Sequence, residues 1–180
     1  MGILNDQIDN MLIPVKSEHE EKYPDKYIDH YLEQYRIYLH VFNSTNERRQ
    51  KSNEFFLGIN TAIMAILGYI ETKEVSHIPM VFTLVPLIGI ALCYAWYQTI
   101  CSYRQLNRAK FKVIHRLEHK LPADLFETEW NILGKGRDYK KYRPLSHIEL
   151  SIPSIFVILY FIIFVANLPD GVLSNFFRLF

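Results

Sequence analysis

The 180 residues suffice for one domain of ordinary size, and a mean hydropathy of −0.01 conceals a polar and a strongly apolar population. Twenty Lys and Arg against nineteen Asp and Glu leave a net charge of +1, too balanced to mark a polyanion-binding protein by composition. Cys93 and Cys101 lie in or beside an apolar run, where they read as buried small side chains in a reducing compartment rather than a disulfide or metal pair.

The chain opens with a polar segment, residues 1–54, which has no short apolar core followed by a small-residue cleavage site, so no cleavable signal peptide is expected. Within it Ile28, Leu32, Tyr35, Leu39 and Phe42 recur at spacings of four, three, four and three, the seam of a helix packed on another helix. Pro24 followed by Asp25 marks the start. A first membrane span is predicted at 55–70, short and interrupted by Asn60 and Thr61 but bounded by Glu54 and Glu71. The connection ETKEVSH leads to a second span at 78–101. That span runs into the basic stretch SYRQLNRAKFKVIHRLEHKLP without a glycine or proline between them.

The matching lengths suggest a hairpin. Tyr27 to Ile70 and Ile78 to Leu121 are both 44 residues, each a helix of roughly 66 Å at 1.5 Å per residue. Paired antiparallel, Phe42 would face Leu106, Leu39 Ala109, Tyr35 Val113 and Leu32 Leu117 or its neighbour. The alternative is that the two polar helices lie separately on the membrane surface. After Pro122 a short helix, ADLFETEWNIL, is predicted, with Asp124, Glu127 and Glu129 favouring its start and Gly134 placed for a C-terminal cap. The basic juxtamembrane loop GKGRDYKKYRP closes the 102–149 segment; it lacks the context and the Lys-Ser/Thr ending of a phosphate loop. A third span follows at 150–168, introduced by Ser146 and Glu149 in capping-box spacing and with Pro153 near its first turn. Residues 169–180 form a tail. The fold class expected is all-α: three transmembrane helices, the first two extended as a long cytoplasmic antiparallel hairpin, plus a short cytoplasmic helix.

Charge sets the orientation. Residues 1–54 hold seven Lys and Arg and residues 102–149 hold eleven, leaving only Lys73 and Arg178 elsewhere. Short cytoplasmic segments carry such an excess, so the N-terminus is expected inside and the C-terminus in the periplasm. Basic residues at the membrane ends would each gain about 1 kcal/mol from anionic lipid. The 1–54 segment has ten acidic residues and the 102–149 segment six, giving −3 and +5, an opposition suited to packing together rather than to nucleic acid.

The series Trp96, Tyr97, SYRQLNRAKFKVI, LP, Phe126 with EW, then KYRPLSHIELSIPSIF resembles the bacterial RipA-type octameric inner-membrane proteins over roughly Trp96 to Phe156. The resemblance implies an eight-subunit membrane assembly with a cytoplasmic portion, associated with bacterial adaptation and growth in hosts, and with no established catalytic activity.

No catalytic, cofactor or metal site is expected from the residues. His115 and His119 are i, i+4, but no third ligand stands at a diagnostic spacing, and Arg116 and Lys120 interleave them. The spans contain no Asp, Glu, Lys, Arg or His, which disfavours a coupled transporter. Small residues, Gly58, Ala62 and Ala65 on the first span and Ala91 and Ala95 on the second, offer close helix contacts. Gly58 and Ala62 are candidate contacts between subunits. So are Phe111 and Ile114, which lie off the hairpin stripe and are expected to meet an adjacent subunit or the short helix around Phe126 and Trp130. The reading is a homo-oligomeric inner-membrane scaffold, with lipids and its own copies as partners. A channel lined by Asn60, Thr61 or Thr83 is the alternative.

Overall fold

A computed structural model describes residues 24–72, 79–136, 142 and 145–168. The described residues form four α-helices: α1, Tyr27–Thr72; α2, Pro79–Glu118; α3, Leu125–Ile132; and α4, Leu145–Ala166. Among the described residues there is no strand. The N-terminal 23 residues, most of the ETKEVSH connection, much of the basic loop and the tail lie outside the described residues.

Local chemistry accounts for the helix ends. A 3₁₀ turn at Pro24–Lys26 leads into α1, which runs two residues past Ile70 to Thr72. α2 stops at Glu118, short of the expected Leu121. Its end tightens into i, i+3 bonds, Lys120 N–H to Leu117 O at 3.3 Å and Leu121 N–H to Glu118 O at 2.6 Å. The cause is Pro122, which disfavours the helical conformation at the residue before it. α3 closes with Leu133 at its C-cap and Gly134 at φ 68°, a left-handed position that only glycine adopts without strain.

The chain divides into two compact units. The polar unit, residues 24–46 with 106–136, pairs α1 and α2 antiparallel: Asn46 meets Asn107, Phe42 meets Phe111, Tyr35 meets Glu118. Phe42 packs on Phe111 and Tyr35 reaches Glu118, each five positions beyond the residue expected opposite it, while Tyr31 with Leu117 and Tyr38 with Lys110 keep the expected offset. Leu106, 45% exposed, and Ala109 therefore face outward. Leu32, Tyr35, Leu39, Val113 and Leu117 are half-buried, Phe42 buried. The buried face of α2 here is Asn107, Ile114 and Glu118. Two of those three are polar, so a search for apolar residues alone selects the neighbouring stripe.

The apolar unit comprises residues 47–72, 79–105, 142 and α4. Asn53 meets Trp96 and Asn60 meets Cys93, so α1 and α2 are antiparallel here too. Asn53 also meets Glu149 and Asn60 meets Tyr160, so α4 runs parallel to α1. The core gathers Leu67, Phe82, Cys93 and Tyr160, and the Trp96 ring stacks on Phe56 at 5.9 Å. A Cβ on Gly89 would run into the Tyr160 ring, so the absence of a side chain there sets how closely α2 and α4 approach. Pro153 sits well inside α4 rather than near its first turn, because the helix begins at Leu145. It and Pro86 of α2 are fully buried, so neither proline faces out of the helix bundle. Three helices, α1, α2 and α4, are long and apolar enough to cross a membrane. The expected span 55–70 falls on α1; 78–101 falls on α2 from Pro79 onward, its first residue lying outside the described residues; 150–168 falls on α4 up to Ala166 and runs two residues beyond it.

Candidate functional site: polar junctions between helices

Asn60 is the centre of the apolar unit and is fully buried. Its amide nitrogen donates to the Phe56 carbonyl one turn back at 2.8 Å. Its side-chain oxygen accepts from the Tyr160 hydroxyl at 3.1 Å and the Cys93 thiol at 3.4 Å. One side chain thereby ties α1 to both α2 and α4. In an apolar surrounding an unpaired amide costs several kcal/mol, so the three groups specify which helices meet and at what depth.

A second junction lies toward the start of α4. The Trp96 indole N–H donates to Asn53 Oδ1 at 3.0 Å, and Asn53 Nδ2 donates to Glu149 Oε1 at 3.1 Å. The other oxygen of Glu149 pairs with Arg49. Glu149 is therefore committed to α1 rather than to closing a capping box; the Ser146 side chain lies outside the described residues.

The polar unit has its own pair of junctions. Asn107 Nδ2 donates to Asn46 Oδ1 at 2.7 Å. Glu118, 1% exposed, accepts from the Tyr35 hydroxyl at 3.1 Å and from the Phe126 backbone N–H, 3.1 Å from each carboxylate oxygen. The carboxylate of α2 thus satisfies a free donor at the start of α3, where negative charge is favoured by the helix dipole. Asp124, in the N-cap position itself, makes no capping bond; it faces His119, which also pairs with Glu127 at 3.2 Å. Burial, with the bond to Glu118 second, pushes the Tyr35 phenol up to about 12. Burial does the same to Tyr31, to about 12, whose hydroxyl donates to the Leu117 carbonyl.

The His115 and His119 rings take different roles: His115 packs on Phe111 at 6.1 Å while His119 serves the two acids. Among the described residues no three His, Cys, Asp or Glu side chains are grouped to hold a metal ion. Phe111 lies between Phe42 at 4.9 Å and Phe126 at 6.5 Å. Ile114 is 0% exposed, covered within its own chain, whereas Phe111 and Trp130 keep 38% of their surface. Gly58 and Ala62 face outward, and a Cβ at Gly58 would meet nothing within 4 Å. Of the three residues considered for lining a pore, Asn60 is enclosed within the subunit, Thr83 is half-buried and Thr61 faces outward.

Sequence reasoning passed over Asn46, Asn53, Asn107, Glu118 and Tyr160 as site residues. Asn46, Asn53 and Asn60 recur every seven residues, a signal legible in the chain. Asparagine at a heptad position fixes the pairing of helices at some cost in stability.

No curated protein and no solved structure matches the chain. A family model, the Octameric membrane protein family (8xMP), matches residues 32–169, which takes in all three apolar helices from Leu32 onward and the whole of α3. Three helices able to span a membrane and a match over most of the chain lead to one conclusion: this chain belongs to the octameric membrane protein family.

Proposed function

We propose that the protein is a homo-oligomeric scaffold of the bacterial inner membrane, without catalysis, which displays its polar unit in the cytoplasm and leaves its C-terminus in the periplasm. The observation that carries this reading is the use made of Asn60. The most enclosed polar group of the apolar unit is spent on Tyr160, Cys93 and its own helix, holding helices together instead of facing a passage. Family membership supports self-assembly, and the count of eight comes from the family's name. Outward Gly58 and Ala62 supply a surface on which another copy's helix can approach closely. The Lys and Arg distribution supports the orientation. A role in stress adaptation and virulence rests on the resemblance carried by the Trp96 to Phe156 stretch.

Native mass spectrometry of the detergent-extracted protein, paired with ion and dye flux in liposomes, tests the reading. Eight subunits with no flux are expected. A monomer would overturn the assembly, and flux above that of empty liposomes would replace the scaffold with a channel.

A further inference from the structure

α3 has no buried residue, and Leu125 and Ile132, each 70% exposed, lie with exposed Glu129 on one helical face. The opposite side of α3 is already used within the chain: Phe126 packs on Phe111 and its N–H is held by Glu118. The outward face is left uncovered by its own α2. On α2 of the same unit, exposed Leu106 and Ala109 lie beside exposed Arg108 and Lys112. One face is apolar and acidic, the other apolar and basic.

We propose that the Leu125, Glu129 and Ile132 face of α3 docks on the Leu106, Ala109 and Lys112 face of α2 in a neighbouring copy of this chain, with Arg108 at its edge. The proposal rests on the self-assembly reading above and adds where the copies meet outside the membrane. Three observations select a second copy as the occupant. The chain belongs to a family of octamers, so another copy is at hand. The two faces are complementary in charge while both being apolar at the centre, the anatomy of a specific interface. They are also different surfaces of one subunit, as a head-to-tail contact that closes into a ring requires. A lipid surface fits less well: α3 carries Glu127 and Glu129 and no Lys or Arg, whereas helices that lie on membranes are rich in basic residues.

Cysteine substitutions in the full chain, with Cys93 and Cys101 replaced by serine, test this in native membranes. Ile132→Cys and Ala109→Cys in one chain should give, on mild oxidation, a ladder of crosslinked species above the dimer. Either substitution alone should give none, and a mixture of the two single variants should stop at the dimer. Adding Glu129→Lys or Lys112→Glu to the doubly substituted chain should abolish the ladder, and adding both together should restore it. An octamer by native mass spectrometry that yields no ladder overturns this interface and leaves the assembly standing. Efficient dimers from a single substitution overturn the head-to-tail contact. Absence of the octamer overturns the assembly reading and this contact with it.

Discussion

The carboxylate of Glu118, the last residue of α2, holds the backbone N–H of Phe126, the second residue of α3, at 3.1 Å. Replacing it by alanine leaves that N–H and the Tyr35 hydroxyl without their acceptor. The expected cost is about 1–3 kcal/mol, the range for a lost cap or a charged hydrogen bond. Glu118→Gln keeps one acceptor and should lose less. Hydrogen exchange at the α3 amides reads the difference, with faster exchange in the alanine variant. Unchanged protection would assign the docking of α3 to Phe111 and Phe126 alone.

Tyr31 and Tyr35 both hold their protons to about pH 12, against 10.0 for an unperturbed phenol. The folded unit binds those protons more tightly than the unfolded chain. Their contribution is therefore complete below pH 10 and is lost as pH rises from 10 toward 12. Ultraviolet titration of the intact protein against Tyr35→Phe should show the missing phenolate appearing late, and the variant should have a flatter stability curve above pH 10. A phenolate that appears near pH 10 would show that Tyr35 is open to water.

Within the apolar unit, Asn60→Leu removes the side-chain acceptor used by Tyr160 and Cys93, leaving Tyr160 the Asn60 backbone carbonyl at 3.4 Å. Interhelical hydrogen bonds in membranes contribute about 0.6 kcal/mol on average and up to about 1.7, so a loss of about 1–2 kcal/mol is expected. Tyr160→Phe should cost less than Asn60→Leu, and combining the two should add little to the asparagine change. Unfolding in mixed detergent measures all three. Additive losses would mean that the two side chains act independently.

At Gly89 the Tyr160 ring occupies the space of a side chain. Gly89→Leu should destabilise the helix packing by about 1–3 kcal/mol, the cost of overfilling a packed site. Gly58→Leu, at an open position, should leave the isolated subunit as stable as before. Thermal unfolding in detergent distinguishes them, and equal effects would contradict the close approach of α2 and α4.

Cysteines placed at Ser44 and Ser174 report the orientation. A membrane-impermeant maleimide added to intact cells should label the second and spare the first. The reverse pattern would invert the proposed topology, and labelling of both would mean that an even number of helices crosses.

The hydrophobic runs disclosed the helices because a spanning segment must be apolar over about 20 residues and little else in the chain is. Phe42 was legible for the same reason, being apolar at a helical spacing. The partner face was not. Asn107 and Glu118 are inward but polar, and their burial depends on acceptors and donors supplied from elsewhere in the chain: Asn46, Tyr35 and Phe126. Pairing of that kind leaves no mark in a hydropathy pattern, so Leu106 and Ala109 took the inward positions in the sequence reading. Asn60 was visible as an interruption of a span, yet its meaning came from Tyr160, 100 residues away.

That separation also orders the making of the protein. Cys93 follows Asn60 by 33 residues, but Tyr160 follows it by 100, as Glu149 follows Arg49. At about 5–20 residues per second of synthesis, roughly 3–13 s pass between the appearance of Cys93 and that of Tyr160. For that interval the nascent α1 and α2 can meet only with the Asn60 oxygen served by a thiol, a weak donor. α4, made after α1 and α2, supplies the hydroxyl that completes the junction. A chain that ends before Tyr160 has α1, α2 and α3 but leaves the Asn60 oxygen with the Cys93 thiol as its side-chain donor.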